Sequence, residues 1–493
     1  MGATTRCPSP GAFLPGKQVA VRILFVVKPD DTVIEYLGLM YISAVAEAVG
    51  HECLGVAERD QGRLAATVAE FRPGIVGFSM TTGVHLFHLD LVRRLKQQFD
   101  FVSVFGGPHP TYFPEIAREE GVDVVCVGEG EYPLLELADH LQAGTDYRHI
   151  PNLIVKQSGE LFSTPPRPFV QDLDALPFPN RGLFRLSSRS HYSVIANRGC
   201  PYSCTYCFNH QHKRLTDGRY LRQRSVTNVI AEARELRDRY GAKQIDFQDD
   251  IFILDKRWLR ELAPRFREEV GLPFWCHVRA NLVTEEVVGL LKEAGCVAAA
   301  MGVEAGDDKL RNQVLRRQMS REEIVRAGRW LIDYGIELLT QNMMALPGET
   351  IDMAFETVKI NAAIRPQHMN LYFLQPYPGT ELARYSAEIG CFDGDFSDYP
   401  ESYLARSTNK IPIKTPHARE FKLLADIFHP LVKLPALIPY AQYALTRRRD
   451  TLGRRLWSSL LSLPIKVYSL VKVNVLRALT HEQRQAVRRL LKV

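Results

Sequence analysis

The sequence predicts an α/β protein with two parallel β-sheets. The first is a doubly wound sheet in the N-terminal part, the second is a partial barrel of six βα units, and a helical C-terminal region follows. Short apolar segments alternate with amphipathic ones along residues 19–384, which is the pattern of parallel sheets. Glycines and polar residues repeatedly follow the apolar segments, where ligands bind in such sheets. Residues 431–493 carry an excess of Lys and Arg instead.

Length and composition predict a globular protein of several domains. The chain has 493 residues, 46% of them hydrophobic and 24% charged, which suits two or three domains. We expect an N-terminal tail (1–18), a first domain (19–145), a linker (146–190), a second domain (191–384) and a helical, basic C-terminal region (385–493).

Five strands are predicted in the first domain. Residues 21–27 form a β-branched run typical of a buried parallel strand. The other strands are predicted at residues 52–56, 75–79, 102–105 and 124–127. Helical patterns separate them, and Gly50 is a good stop for the first helix. Because no Gly-x-Gly-x-x-Gly follows the first strand, a Rossmann dinucleotide site is disfavoured.

The carboxyl ends of three of these strands carry candidate ligand-binding residues. Glycines there allow a close approach of the backbone to a ligand. The candidates are Ser79, Thr81, Gly106, Gly107, Gly128 and Glu129.

The second domain is predicted to follow an extended, Pro-rich linker. Its six strands are predicted at residues 193–196, 244–247, 275–278, 298–303, 337–344 and 370–374. Polar residues at the carboxyl ends of barrel strands are candidates for chemistry. Here they are Asp249, Asp250, Arg279, Glu304 and Gln341.

Three cysteines lie within eight residues of the second domain. Cys200, Cys204 and Cys207 form a Cys-x3-Cys-x2-Cys pattern, and thiolates are the ligands of iron–sulfur clusters. No fourth cysteine follows nearby, so one iron would keep an open position. Zinc is the alternative, with only His210 and His212 close by. An odd number of cysteines makes a disulfide a weak interpretation, and nine scattered cysteines in all favour a reducing, cytoplasmic compartment.

With Tyr206 as the aromatic residue, the cysteine motif resembles the signature of the radical S-adenosylmethionine (SAM) enzymes. The resemblance implies a [4Fe-4S] cluster bound by Cys200, Cys204 and Cys207, with SAM on the open iron. An electron from the cluster, supplied by an external flavodoxin- or ferredoxin-type donor, would cleave SAM to methionine and a 5′-deoxyadenosyl radical. Tyr206 would shield the cluster or stack near adenine.

The same resemblance gives roles to the polar residues at the strand ends. Asp249 or Asp250 would bind the SAM amino group, Arg279 would lie on the carboxylate side, and Glu304 would bind the ribose or lie near it. The alternative for each is a structural salt bridge at the mouth of the barrel.

The first domain resembles the cobalamin-binding domain joined to many radical SAM enzymes. Ser79 and Gly106-Gly107 resemble the Ser…Gly-Gly part of the cobalamin signature, whereas its Asp-x-His-x-x-Gly part is missing. The resemblance implies a bound cobalamin without this histidine below cobalt. His85 and His109 are candidates for that position, and a polar loop histidine is the plainer interpretation. A flavodoxin-like nucleotide-binding module is the alternative for the whole domain.

The C-terminal region carries the net positive charge of the chain. From Leu431 onward the sequence has 13 Lys and Arg but only two acidic residues, Asp450 and Glu482, which gives a net charge of +11. Because the whole chain has a net charge of +6, the rest of it has a net charge of −5. Residues 456–463 and 467–479 mix aliphatic and basic residues, which favours an anionic membrane surface or a hydrophobic substrate mouth over nucleic acid. An ordinary helical cap on the barrel is as good an interpretation. With neither a signal peptide nor an apolar span expected, we predict a cytoplasmic protein, and peripheral contact with the inner membrane surface is one of the alternatives for this region.

The two resemblances together imply methylation of an unactivated carbon or phosphorus centre of a small-molecule or lipid-like substrate. One SAM would methylate cobalt and a second would supply the radical that activates the substrate. An anaerobic cyclase or oxidoreductase acting on a tetrapyrrole-like substrate is the alternative within the family. A cobalamin-sensing module with a structural cluster and a tRNA-modifying enzyme are alternatives of other classes.

Overall fold

A computed structural model of the chain describes residues 20–28, 35–58, 60–184, 189–396 and 411–446. The predicted N-terminal tail lies outside the described residues, as do the basic segments at residues 456–463 and 467–479.

The first domain is built on a doubly wound parallel sheet, as predicted. Its elements are β1 (Arg22–Val27), α1 (Leu37–Ala48), β2 (Glu52–Ala57), α2 (Gln61–Phe71), β3 (Ile75–Ser79), α3 (His85–Lys96), β4 (Val102–Gly106), α4 (Pro108–Tyr112), β5 (Val124–Cys126) and α5 (Glu131–Ala143). The parallel strands stand in the order β2-β1-β3-β4-β5. All five predicted strands are confirmed.

Both faces of this sheet are buried. In β1, Ile23 and Phe25 pack on one face while Leu24 and Val26 pack on the other, and all four are at most 1% exposed. Helices therefore cover both faces, which leaves the carboxyl edge of the sheet as the open place for a ligand.

A β-hairpin extends this sheet and corrects the prediction of an extended linker over residues 146–190. Strands β6 (Leu153–Gln157) and β7 (Glu160–Ser163) pair antiparallel to each other, and β6 pairs antiparallel to β5. The turn between them places Ser158 and Gly159 at positive φ, which suits a two-residue hairpin turn. The Pro-rich residues beyond the hairpin dominate the composition of this stretch and obscured its short alternating strands.

The second domain has a six-stranded parallel sheet, as predicted for a partial barrel. Its elements are β8 (His191–Val194), β9 (Asn197–Arg198), α6 (Asn209–His212), β10 (Arg222–Gln223), α7 (Val226–Tyr240), β11 (Gln244–Phe247), α8 (Lys256–Arg265), β12 (Phe274–Val278), α9 (Glu285–Ala294), β13 (Cys296–Glu304), α10 (Arg321–Asp333), β14 (Glu337–Met344), α11 (Ile351–Ile364), β15 (His368–Phe373) and α12 (Glu381–Glu388). The parallel strands follow chain order from β8 through β11 to β15, while β9 and β10 form a separate antiparallel pair.

Only the outer face of the barrel sheet is fully packed. In β12, Phe274, Cys276 and Val278 are buried in the core beneath the helices, whereas Trp275 and His277 are half-buried. The same alternation of burial recurs in β14 and β15. The inner face and the carboxyl edge of the barrel are therefore accessible to ligands.

Two C-terminal helices cap the last strands of the barrel. Helix α13 (Ala418–Lys433) and helix α14 (Ile438–Thr446) contact α11. Phe421 and Phe428 of α13 share a buried cluster with Phe355 of α11. This confirms a helical C-terminal region as far as residue 446. In the described part of the chain, no helix has the length and hydropathy that crossing a bilayer requires.

Glu349, in the loop after β14, predicts a pH-dependent stability. Its carboxyl is buried, accepts a hydrogen bond from Leu346 N at 2.9 Å, and leaves Oε1 without a partner among the described residues. Burial raises the pKa of Glu349 to about 8, and the charge of Asp307 acts in the same direction. The folded protein therefore keeps a proton that the unfolded chain loses near its ordinary pKa. This contribution makes the free energy of unfolding fall as pH rises toward 8.

We expect Glu349→Gln to remove this fall, because Gln still accepts from Leu346 N but cannot ionise. The variant should exceed the wild type by about 1–3 kcal/mol at the alkaline end and match it near pH 5. Urea unfolding across this range is the measurement, with the exposed Glu322→Gln as control. Parallel profiles for wild type and Glu349→Gln would mean that Glu349 is already ionised in the folded state.

Candidate active site

The segment entering the cysteine loop is fixed by Asp249 and by a glycine. Asp249, directly beyond β11, accepts hydrogen bonds from the backbone N–H groups of Ala196, at 3.0 Å, and Asn197. Burial raises the pKa of Asp249 to about 7, although these amides act in the opposite direction. Gly199 has φ +94°, and a Cβ there would lie 2.5 Å from Tyr220 O. Only glycine fits at this position.

The loop brings the three predicted cysteines into one buried region. Cys200 and Cys204 are buried and Cys207 is half-buried. Thr205, between them, donates to Val314 O at 2.7 Å and so anchors the loop to the segment after β13. Burial raises the pKa of Cys200 to about 11 and that of Cys207 to about 12, so metal binding there would displace protons.

A buried arginine beside Cys204 makes no ion pair with a carboxylate in the described part of the chain. Arg279 is 3% exposed, its Nη1 lies 3.6 Å from Cys204 Sγ, and its guanidinium lies 3.7 Å from the ring centroid of Tyr202. Its Nη2 donates to Arg317 O. An unpaired charge is costly to bury. Thiolates carrying an iron–sulfur cluster would supply the missing negative charge, so the residues present fit such a cluster.

Tyr206 links an arginine and a glutamate within the barrel mouth. Arg317 Nη1 donates to Tyr206 OH at 2.6 Å, and Tyr206 OH donates to Glu304 Oε1 at 3.2 Å. Burial raises the pKa of Glu304, and Arg317 opposes that shift. Glu304 also has φ +64°, a left-handed conformation that costs a residue other than glycine about 1–3 kcal/mol and clusters at ligand sites.

Asp250 occupies a different position from Asp249. Its side chain bonds to that of Asn209, two residues after Cys207, and its residue surface is exposed. Of the two predicted alternatives for a ligand ammonium group, Asp249 is committed to backbone amides and Asp250 is the better placed.

Several buried polar atoms around the loop lack a hydrogen-bond partner among the described residues. Native proteins satisfy most such atoms, so this cluster fits a site whose polar ligand completes the bonding. The atoms are Asn197 Oδ1, His210 Nδ1, Arg279 Nε, Asn281 Oδ1 and Arg317 Nε. Asn281 also donates to Tyr202 OH at 3.2 Å.

In the ranges that the structure describes, no three His, Cys, Asp or Glu side chains are already arranged around a single metal ion, and this includes the three cysteines of the loop. This finding therefore does not separate zinc from an iron–sulfur cluster.

Four of the predicted residues of the first domain lie together at its carboxyl edge. Ser79 and Gly106 are paired in the sheet. Gly107 has φ +95°, and a Cβ on it would lie 2.9 Å from Met80 O, whereas the space at Gly106 is free to 4.0 Å. Gly128 N donates to Thr111 Oγ1 at 3.1 Å, which brings the third loop to the same edge.

Thr81, the fifth predicted residue, is exposed two positions beyond β3. The free space at Gly106 and the exposed Thr81 fit a ligand such as cobalamin at this edge.

Glu129 faces the second domain instead. Its carboxylate accepts from Arg198 Nη1 at 3.1 Å, from Arg222 Nη1 at 2.8 Å and from Val170 N at 2.8 Å. With its oxygens taken by these partners, Glu129 is not positioned for the predicted cofactor contact.

His85 and His109 pack against each other. Their ring centroids are 3.9 Å apart, His109 Nδ1 lies 3.1 Å from Thr82 Oγ1, and His85 Nδ1 accepts from Gly83 N at 3.1 Å. Burial lowers the pKa of His109 to about 3. These contacts favour a packing role for the two histidines, which lie in α3 and α4 rather than in a polar loop.

Two family models match the chain. The B12 binding domain model matches residues 24–138 and the radical SAM superfamily model matches residues 194–360. An uncharacterized methyltransferase of Pyrococcus horikoshii is 29% identical over 388 residues, which cover 74% of this chain and 83% of the relative. The cytidylyl-2-hydroxyethylphosphonate methyltransferase of Streptomyces wedmorensis is 24% identical, with 74% of this chain and 80% of the relative covered.

A solved structure shares the fold. The radical SAM methyltransferase TsrM from Kitasatospora setae superposes with a TM-score of 0.64 at 20% identity, over 75% of this chain and 76% of that one. The two domain models together match more than half of the chain, and they fall on the two sheets that carry the open edge and the cysteine loop. The chain belongs to the radical SAM enzymes that carry a B12-binding domain.

Proposed function

We propose that this protein is a cobalamin-dependent radical SAM methyltransferase that acts on an unactivated carbon or phosphorus centre of a small molecule. One observation carries the proposal: three clustered thiols lie beside a buried Arg279 that has no carboxylate partner in the described residues, in a chain that also has a B12-binding domain. Relatives along most of the chain are methyltransferases by name.

When bound, the cluster, SAM and cobalamin supply one-electron reduction, hydrogen abstraction and a transferable methyl group. The chain's own residues hold and orient these groups. Cys200, Cys204 and Cys207 bind the cluster, and Asp249 fixes the backbone that leads into their loop.

The residues around the cysteine loop form the SAM site in this proposal. Asp250 pairs with the SAM ammonium group, since Asp249 is committed elsewhere. Arg279 Nε is a buried donor left for the SAM carboxylate, and Asn281 Oδ1 is a buried acceptor left for a donor group of the same ligand. Glu304, oriented by Tyr206 and Arg317, accepts from the ribose hydroxyls.

The first domain binds cobalamin along its open edge. Ser79, Thr81, Gly106, Gly107 and Gly128 line the nucleotide tail. Glu129 is left out because its carboxylate bonds to the second domain. Reduction of the cluster requires an external one-electron donor of the flavodoxin or ferredoxin type.

Anaerobic reconstitution with iron, sulfide and cobalamin tests the function. The reduced protein is then given SAM, and 5′-deoxyadenosine and S-adenosylhomocysteine are quantified. Formation of both products, with cobalamin retained on the protein, supports a methyltransferase. Formation of 5′-deoxyadenosine alone favours a cyclase or oxidoreductase, and formation of neither contradicts the proposal.

We also propose that the C-terminal helices contact an anionic membrane surface. Leu434 and Leu437 are 56% and 40% exposed, and Tyr440 of α14 is 69% exposed. The sequence from residue 431 onward has a net charge of +11. Exposed apolar and aromatic side chains, followed in the sequence by basic residues, suit the interface of an anionic bilayer.

The double variant Leu434→Glu/Leu437→Glu should lose at least about tenfold in affinity for vesicles containing phosphatidylglycerol. Two leucine side chains would each forfeit about 1 kcal/mol or more of apolar burial, and the new charges would be repelled. Cosedimentation is the measurement, and Ile389→Glu, which alters an exposed apolar side chain outside this patch, is the matched control. Equal binding of the wild type, the double variant and the control variant, or binding to phosphatidylcholine vesicles alone, would contradict the proposed contact with an anionic membrane.

A further inference from the structure

Two acidic residues of the first domain form ion pairs with an arginine just before the cysteine loop. Arg198, of β9, lies 3.1 Å from Glu129 and 2.7 Å from Glu131. Arg222, of the neighbouring β10, also pairs with Glu129, at 2.8 Å. The four side chains carry equal numbers of positive and negative charges, so the cluster is electrically balanced.

A second balanced ion-pair cluster joins the same two domains. Arg181 pairs with Glu35 of the first domain at 3.0 Å and with Glu232 of α7 at 2.6 Å. Arg224 completes it with an ion pair to Glu232. All four side chains are at most 3% exposed, so this junction excludes water.

Tyr41, of helix α1, lies between the two clusters. The guanidinium of Arg198 lies 5.0 Å from the centroid of its ring, and Arg224 Nη1 lies 3.5 Å from its hydroxyl. The two clusters therefore share one aromatic contact with the first domain and form a continuous interface.

A third contact joins the domains just after the cysteine loop. The rings of Tyr112 and Phe208 stack with centroids 4.5 Å apart and an interplanar angle of 13°. Tyr112 OH also lies 3.3 Å from Phe208 O. Tyr112 ends α4, which begins directly after Gly107, and Phe208 is covalently next to Cys207.

The first domain thus holds both ends of the three-cysteine loop, at Arg198 before Cys200 and at Phe208 after Cys207. We propose that Arg198 and Tyr112 are positioning residues that fix the separation between the cobalamin-binding edge and the iron–sulfur cluster. This inference rests on the proposed function. Group transfer between two bound cofactors depends on their placement, and a displacement of 1 Å can cost about 100-fold in rate.

The charge partners explain why arginine is suited to this position. Arg198 reaches two carboxylates through two different nitrogens, which a lysine ammonium cannot reproduce with the same fixed geometry. Contacts that only join the two domains would not need to lie at the ends of the cysteine loop. Because both contacts lie there, we assign Arg198 and Tyr112 a role in positioning the loop.

The test uses the full chain with Arg198→Gln, Tyr112→Phe and the control Arg260→Gln. Arg260 pairs with Glu286 at an exposed site within the second domain. Tyr112→Phe keeps the ring stack and removes only the hydroxyl, so it guards against a folding defect in Arg198→Gln. Amide hydrogen exchange of the cofactor-free chain is measured first, over residues 128–131 and 196–208.

We expect Arg198→Gln to raise exchange in both segments about tenfold and Tyr112→Phe to raise it less, with Arg260→Gln at the wild-type level. In the loaded protein, electron paramagnetic resonance should show weaker or more dispersed spin coupling between cobalt and the reduced cluster, at unchanged iron and cobalamin content. Unchanged exchange and coupling in Arg198→Gln, or equal changes in Arg260→Gln, would overturn the positioning role. If the wild type bound no cobalamin or cluster, the proposed function would fail, whereas exchange in the cofactor-free chain would still decide separately whether Arg198 and Tyr112 hold the cysteine loop against the first domain.

Discussion

Replacing Cys204 with Ala is expected to abolish cluster-dependent cleavage of SAM while the chain stays folded. Loss of one of three ligands should lower 5′-deoxyadenosine formation by more than about 100-fold. Removing a group that only hydrogen-bonds to a metal ligand already lowers metal affinity or activity by about 10–100-fold. The fold should survive. Removing one buried sulfur leaves a cavity of about one methyl group, which costs about 1 kcal/mol.

Iron and sulfide content after anaerobic reconstitution, and 5′-deoxyadenosine on reduction with SAM, are the measurements. Cys53→Ala is the matched control, because Cys53 lies on β2 in the first domain, away from the cysteine loop. It should keep full cluster content and full cleavage. Wild-type cleavage by Cys204→Ala would show that the ligand assignment is wrong.

The elements that the sequence predicts well are those whose signal is local. Strands such as β3 and β14 were placed at their observed bounds, because apolar runs and alternating burial are written into consecutive residues. Ser320 and Glu323 form a capping box at the start of α10, which is another local feature because both partners lie within one helical turn. The three-cysteine loop is equally local.

The contacts missed by sequence reasoning depend on tertiary structure. Arg317 follows Arg316 and resembles any surface arginine in sequence, yet it is buried between Tyr206 and the carbonyl oxygen of Gly302. Asn281 had no signal beyond its place two residues after Arg279. A side chain reveals such a role only through partners far away in the chain.

Neighbouring acidic residues at a strand end show the same limit. Asp249 and Asp250 are adjacent, and only the structure separates the one that binds backbone amides from the one that bonds to Asn209. Glu129 was predicted to face a cofactor because it lies at a carboxyl edge. Its carboxylate instead forms ion pairs with Arg198 and Arg222 of the second domain, and these partners could not be predicted from the first domain alone.

The second large expected effect is that of replacing Arg279 on the reduction potential of the cluster. We expect Arg279→Met to make the midpoint potential more negative by about 60 mV. The substitution removes a charged N–H donor at 3.6 Å from Cys204 Sγ. If that contact favours the reduced, more negative cluster by about 1.4 kcal/mol, its loss shifts a one-electron potential by 59 mV. Hydrogen bonds to the sulfurs are a recognised control of cluster potentials.

In the cofactor-free chain, Arg279→Met should either raise the free energy of unfolding slightly or leave it almost unchanged. Without a cluster, Arg279 is a buried cation with no ion-pair partner in the described residues, and removing it relieves that cost. The lost hydrogen bond to Arg317 O offsets the gain by about 1 kcal/mol. The free energy of unfolding should therefore change by no more than about 1–2 kcal/mol.

An anaerobic redox titration and urea unfolding of the cofactor-free chain measure the two effects separately. Arg279→Lys keeps the charge but loses the stacking on Tyr202, so it should shift the potential less. Arg237→Met, at a partly exposed arginine that pairs with Asp238, should shift neither potential nor cluster content. An unchanged potential together with strong destabilisation of the cofactor-free chain would mean that Arg279 is a structural residue. In that case its charge is compensated within the protein, and the buried guanidinium gives no information about the cluster.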